Sequence, residues 1–180
     1  MSQNRIRSRI VLLLGSVLIF LLVCRSFFLP EILSTYWHMR FGGSTTFHGW
    51  RIPVPRGWYA ATRDDLLIIQ KATRFYESED APTISPGILS FGKPIDPERF
   101  RQASIQVISK QGYLFQEERR FQIGGDSGYC LHFTSDKDQK HIRISCDSLA
   151  AQFSMDYFGP NSEIQTFYSV VGQIKRKDTQ

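Results

Sequence analysis

The chain has 180 residues, with 22 lysines and arginines against 17 aspartates and glutamates, a formal net charge of +5. Arg5, Arg7, Arg9 and Arg25 precede every acidic residue, so the remainder is close to neutral and lacks the electrostatic footprint of a nucleic-acid binder. The length suits one domain with a sizeable core and not two, and no Cys-x-x-Cys, heptad, repeat or low-complexity tract is present.

Residues 1–9 read as a short basic segment. From Ile10 to Cys24 the chain carries no charge, and with Arg25 snorkelling and Phe27, Phe28 and Leu29 extending it, the apolar stretch reaches the roughly 20 residues a bilayer span needs. Segment 10–29 is therefore expected to be a transmembrane anchor, with the basic side in the cytoplasm and the rest of the chain outside it. A cleaved signal peptide is the competing reading, but it lacks a good small-x-small cleavage site, Cys24-Arg25-Ser26 being the nearest. Residues 30–46 read as a membrane-proximal helix and a linker. Pro30 suits a first helical position, and Ile32, Leu33, Tyr36 and Trp37 share a face. Tyr36, Trp37 and Phe41 are residue types found at membrane interfaces, although packing on the domain explains that face equally well. Gly42-Gly43-Ser44-Thr45-Thr46 has the composition of a flexible linker.

The folded domain is expected to cover 47–176, with a tail at 177–180. Residues 47–61 read as an edge strand with Pro53 and Pro55 inside it, followed by a turn at Arg56-Gly57. Leu66 to Lys71 reads as a second strand, 72–86 as a long loop and Gly87 to Gly92 as a third strand. Asp96-Pro97-Glu98 is a helix start, and Gly112 its stop. Tyr113–Ile123, Ser127–Thr134, Lys140–Cys146 and Ala150–Phe158 then alternate with period two. Their inward sets are Phe121/Ile123, Tyr129/Leu131/Phe133, Ile142/Ile144/Cys146 and Phe153/Met155/Tyr157, as in an antiparallel meander covered on one face. Ser162 and Gln165 form the spacing of a capping box, opening a last helix with Ile164, Phe167, Tyr168 and Val171 on one face. The class is α+β: an antiparallel sheet of about six or seven strands with two main helices, preceded by the transmembrane helix.

The stretch Trp50-Arg51-Ile52-Pro53-Val54-Pro55-Arg56-Gly57-Trp58 resembles the Ile-x-x-Pro-x-Gly-Trp opening of PsbP-like domains and the related DcrB-like proteins. Phe167 to Lys175 is similar to their closing helix, departing from it at Gly172-Gln173-Ile174-Lys175. The resemblance implies a non-catalytic assembly or binding module on a membrane-associated system, and carries over no functional residue.

The chemistry-bearing residues give few convergent sets. Gly125-Asp126-Ser127-Gly128 matches the surroundings of a serine-protease nucleophile, but Tyr129 follows in place of glycine, no matching histidine motif exists, and glycines between two strands are ordinary hairpin chemistry. Cys130 and His132 alternate onto an expected outward face with His141 diagonally across, a weak soft-metal set without a fourth ligand. Asp64-Asp65 and Glu117-Glu118 are neighbours that point to opposite faces in a strand. Trp50 and Trp58 are a possible ligand or partner surface, although aromatics near a strand end more often belong to the core. The functional expectation is a non-catalytic extracytoplasmic binding or assembly module, anchored in the membrane, with an envelope protein partner, no nucleic acid and no cofactor. A hydrolase using Ser127 or His132, or a small-molecule or lipid carrier, is the alternative.

Cys130 and Cys146 are symmetric about residue 138, which would place them opposite each other across a hairpin. The apolar pattern opposes that register. Pairing Tyr129/Leu131/Phe133 with Ile142/Ile144/Cys146 on one face needs an offset of one residue, and misfacing several apolar side chains at roughly 1.5–3 kcal/mol each matches or exceeds a disulfide's worth of roughly 2–4 kcal/mol. The expectation is therefore no disulfide, with Cys146 a buried thiol, unless a second element covers the other face.

Overall fold

The computed structural model describes residues 3–63, 65–73 and 81–177, and for 3–12, 21–28 and 63 the secondary structure alone. The chain opens with α1 (Gln3–Phe41), a continuous helix that runs through Pro30, so the anchor and the membrane-proximal segment are not separate elements. Leu13, Leu14, Val17, Leu18, Ile19 and Phe20 are exposed. The side chains of 10–12 and 21–28, the rest of most of the expected anchor, lie outside the described residues. Among the described residues no helix is long and apolar enough to cross a membrane.

The last turns of α1 dock on the domain. Trp37 is buried, the Ser34 hydroxyl donates to the Trp58 carbonyl at 3.1 Å, and His38 Nε2–H donates to the Pro55 carbonyl at 2.9 Å. The docked face is thus Pro30, Ser34, Trp37 and His38. Ile32 and Tyr36, expected on the same face as Trp37, point the other way with Leu29 and Met39 and are exposed. The expected linker is structured as well. Gly42 and Gly43 take φ of +71° and +75°, turning the chain into β1 (Ser44–Phe47), which pairs antiparallel with β2 (Trp50–Pro53).

The expected single edge strand over 47–61 divides between two sheets. Pro53 and Pro55 end the first piece, Gly57 turns at φ +81°, and β3 (Trp58–Arg63) begins the second. β4 (Leu66–Lys71) follows as read. β5 (Thr83–Ile88) lies earlier than the expected 87–92 strand and contains Pro86. It pairs with β4 only at Thr83 and Ile84, so Pro86 falls where that side of the ladder is open and its missing N–H costs no bond. α2 (Pro97–Ser109) starts as read, with Asp96 Oδ1 accepting from the backbone of Glu98 at 2.8 Å and Arg99 at 3.3 Å.

The meander comprises β6 (Tyr113–Ile123), β7 (Asp126–Ser135), β8 (His141–Ser148) and β9 (Phe153–Pro160). A 3-10 turn at Asn161–Glu163 leads into α3 (Ile164–Gly172), and β10 (Lys175–Arg176) returns to pair with β2. The capping box does not form: no side chain caps α3, and Thr166 Oγ1 instead donates to Glu163 Oε2 at 3.2 Å. The sheet order is β3-β4-β5-β9-β8-β7-β6, entirely antiparallel, beside a small sheet β1-β2-β10.

The balance between apolar facing and the disulfide changes because the second face of the sheet is covered. On one face lie α3, the small sheet and the end of α1, enclosing a core that includes Trp37, Trp50, Ile52, Trp58, Phe153, Met155, Tyr157, Phe167 and Val171. On the other lies α2, whose Ile108 packs on Leu131 and Phe133. β7 is therefore apolar on both sides. Its odd-numbered residues face α2, and its even-numbered residues share the main core with Ile144 and Cys146. The register is the symmetric one, with Cys130 opposite Cys146, and the two form a disulfide. The expectation of a free Cys146 thiol is overturned because no apolar side chain is misfaced: Leu131 and Phe133 are buried beneath α2. The other three inward sets keep the face expected of them.

Replacing both Cys130 and Cys146 by alanine removes a cross-link spanning 16 positions and is expected to lower stability by about 3 kcal/mol, read as a shifted urea midpoint. The companion check is mass spectrometry of alkylated, unreduced protein. It should yield a linked peptide pair; fully alkylated Cys130 would refute the bond.

Candidate functional site

The polar side chains that converge most closely lie between the β6–β7–β8 end of the sheet and the start of α3. At Gln116 a bulge interrupts the β6–β7 ladder, because Phe115 pairs with Phe133 while Glu117 pairs with His132. The bulge opens the edge into a cleft of about 400 Å³, lined by Gln116, Glu117, Arg119, His132, Gln139 and Gln165 among others. His132 projects from β7 towards α3 and is buried. It stacks on Tyr168 with ring centroids 5.7 Å apart, and Tyr168 stacks in turn on Phe121 at 5.3 Å. The Tyr168 hydroxyl donates to His132 Nε2, which leaves Nδ1–H facing Glu117 Oε1 at 3.9 Å. Glu117 also pairs with Arg119 at 2.6 Å.

Burial pushes the His132 imidazole below its ordinary range, and Arg119 adds to this while Glu117 opposes it. Burial likewise raises the Tyr168 phenol to about 12, so its proton stays in place near neutrality. A neutral imidazole holding a protonated phenol is a positioned hydrogen-bonding pair. The accepting nitrogen, Nε2, is taken by the Tyr168 hydroxyl, so accepting a substrate proton would first require breaking that bond. The cleft walls otherwise present the amides of Gln116, Gln139, Asn161 and Gln165, together with Thr134 and the apolar Ile142 and Ile164. This arrangement recognises a polar group by hydrogen bonds.

The other sequence candidates fall elsewhere. Ser127 lies on the α2 face of β7 and His132 on the α3 face, five positions along the strand, or about 17 Å. They do not meet. Gly124 and Gly125 form the two-residue turn between β6 and β7, with φ of +61° and +94°, so the Gly-Asp-Ser-Gly motif is hairpin chemistry. Gly124 also gives way to Trp50, whose ring would stand 2.3 Å from a Cβ at that position. Cys130 is held in the disulfide, and His141 lies on the opposite sheet face from His132, paired with Asp138 at 2.6 Å and stacked on Phe158. The three expected metal ligands are therefore not assembled. Among the described residues no group of three or more His, Cys, Asp or Glu is placed to hold a metal.

Trp50 and Trp58, weighed as a possible ligand or partner surface against a core role, are core residues, 4% and 1% exposed. Trp50 meets Phe153 and carries Arg176 over its ring at 5.0 Å. Glu117 and Glu118 point to opposite faces as expected, Glu118 pairing with Arg101 at 3.0 Å. Asp64 lies outside the described residues. Tyr168, Arg119 and Gln165 carry no functional signal in the sequence, where Gln165 reads only as part of a capping box. Tyr168 had been read only as part of an apolar helix face, and its separation of 36 positions from His132 leaves no local signal.

No family model matches the chain, and no curated protein matches it in sequence. Among solved structures it is similar to the solution structure of cyanobacterial PsbP (CyanoP) from Synechocystis sp. PCC 6803. The TM-score is 0.51 at 10% identity, over 74% of this chain and 89% of that one. The PsbP-like resemblance of the opening strand and closing helix thus extends to the fold.

A buried histidine held neutral makes folding sensitive to acid. Its folded-state value lies below its unfolded one, so its contribution is complete above about 6.5 and is lost as pH falls through the depressed value. His132→Phe is expected to flatten the loss of thermal stability between about pH 6.5 and 5, while nuclear magnetic resonance of the wild-type ring should show a midpoint below 6.5. A ring titrating above 6.5 would contradict this account.

Proposed function

We propose that this chain is a membrane-anchored, extracytoplasmic binding or assembly module that acts without catalysis, with the cleft around His132 and Tyr168 as its contact site. The observation that carries this reading is the chemistry of the cleft: a hydrogen-bonded imidazole–phenol pair among amide and apolar side chains, with the only serine suggested as a nucleophile on the far side of the sheet. Three further points support it. Residues 10–29 have the length and apolarity of a span, with Arg5, Arg7 and Arg9 before them. A disulfide within the sheet suits an oxidising compartment outside the cytoplasm. The PsbP-like fold is shared with a domain class whose resemblance implied assembly or binding. The partner in this reading is an envelope protein that presents polar groups to the cleft, and the first part of α1 is held by lipid.

The test combines topology and contact. In right-side-out membrane vesicles, external protease should remove the domain and leave a membrane-bound α1 fragment; a domain that survives while an external control is cut would overturn the orientation. A photoreactive side chain at Gln116 should capture a partner in native membranes, and one at exposed Val107, on α2 across the sheet, should not. Equal capture at both positions, or capture only at Val107, would remove the cleft from this role.

A further inference from the structure

The seven-stranded sheet ends in β3 on one side and β6 on the other, and the two edges differ. The end of α1 docks at β3, where Ser34 donates to the Trp58 carbonyl at 3.1 Å. β6 has no such cover. Among the described residues, no backbone group from Phe115 to Gln122 bonds to any element except β7, and the Gln116 side chain turns back onto the Leu114 carbonyl at 3.3 Å. An open strand of 11 residues is a template for another extended chain. Four consecutive charges, Glu117-Glu118-Arg119-Arg120, and the bulge at Gln116 keep this one from pairing indiscriminately.

The sheet is concave on both sides of this edge. Alternate residues of a strand point to opposite faces. Glu117 and Arg119 line the His132 cleft, and Glu118, Arg120 and Gln122 line a second groove of about 750 Å³ on the other face, with Ser127 and Tyr129 behind them. A strand added along β6 sends its own alternate side chains to the same two faces, so the cleft and the groove stand where its odd and even positions fall. The charges narrow what fits. Glu117 pairs with Arg119 at 2.6 Å and Glu118 with Arg101 at 3.0 Å. Arg120 is left over: it is exposed, makes no ion pair or hydrogen bond among the described residues, and stands opposite Tyr129, whose hydroxyl also lacks a partner there. Towards the other end of β6, Leu114 and Phe115 are 54% and 38% exposed. A complementary segment carries an acid beside Arg120 and, about five strand positions or roughly 17 Å away, an apolar side chain beside Phe115. A second copy of β6 does not meet this requirement. Two-fold pairing about Glu118 or Arg119 sets that residue opposite its own copy, like charge against like.

We propose that the free edge of β6 takes up an extended segment of the partner protein as an added strand, recognised by an acidic side chain at Arg120 and an apolar one at Leu114 and Phe115. The side chains between them alternate between the His132 cleft and the groove of Ser127 and Tyr129. The proposal rests on the reading of that cleft as a contact site and names the form in which the partner enters it. Backbone hydrogen bonds along the edge supply affinity without regard to sequence. The two concave faces and the unpaired guanidinium supply the selection.

The test uses the full chain in detergent, disulfide intact, and a phage-displayed library of random peptides of about ten residues as the probe. Selected peptides should share an acidic residue with an apolar one about five positions from it. A selected peptide, once added, should slow hydrogen exchange of alternate amides within 114–122 by about tenfold or more and leave those of α2 unchanged. Arg120→Glu, at an exposed position, should turn the selected acid into lysine or arginine. Failure to select any peptide, protection confined to other elements, an acidic preference that survives Arg120→Glu, or a dimer of the chain joined through β6 would each overturn the added strand. Partner capture at Gln116 in native membranes alongside any of these results leaves the cleft as the contact site and removes only the strand. Loss of that capture as well removes both.

Discussion

Everything in this fold depends on one strand being apolar on both sides. β7 sends Cys130 and His132 into the main core and Leu131 and Phe133 under α2. With both faces satisfied, the hairpin to β8 is free to adopt the register that its turn dictates. Asp138 Oδ1 accepts from the backbone of Lys140 and His141 at 3.1 and 3.3 Å, which fixes the turn and hence every cross-strand partner up to Asp147. The disulfide is a consequence of that register. It ties the second and third strands of the meander at the depth where α3 covers them, and it leaves the edge strand β6 held by its ladder, by Arg101 and by the stacking of Phe121 on Tyr168.

The sequence made the class and most elements legible for local reasons. Asp96-Pro97-Glu98 announces α2 because capping is local, and Leu66 to Lys71 and Tyr113 to Ile123 announce strands because alternation is local. The face assignment of β7 was not legible. Its apolar residues are continuous from Tyr129 to Phe133, apart from His132, and continuity is compatible with either face. What decides is a helix that precedes the strand by some 20 positions, and whose apolar content is too modest to reveal where it packs. Likewise Gly42 to Thr46 has the composition of a linker, yet Ser44 to Phe47 finds the free edge of β2. Composition reports what a segment could do alone, and an available partner edge overrides it.

The candidate site was half legible. His132 stood out as a residue type, but its assigned neighbours were wrong because the face was wrong: with β7 turned over, Tyr168 replaces His141 and the disulfide replaces the thiolate. Trp50 and Trp58 show the reverse difficulty. Large aromatics at a strand end attract attention as binding residues, while here one closes against Gly124 and the other lies under the end of α1.

α1 reaches the domain without a hinge. Helix gives way to β1 at Gly42 and Gly43, but by then Ser34, Trp37 and His38 have already clamped the helix to the β3 end of the sheet and the turn before it. Pro30 to Phe41 makes twelve residues of helix, a rod of about 18 Å at the helical rise. Whatever holds the first part of α1 therefore sets the azimuth and tilt of the whole sheet, as a keel sets a hull. The His132 cleft and the α2 surface lie on opposite flanks of that sheet and sweep together when the rod turns. Neighbours meeting one flank are thereby excluded from the other, and the molecule carries an inherent left and right.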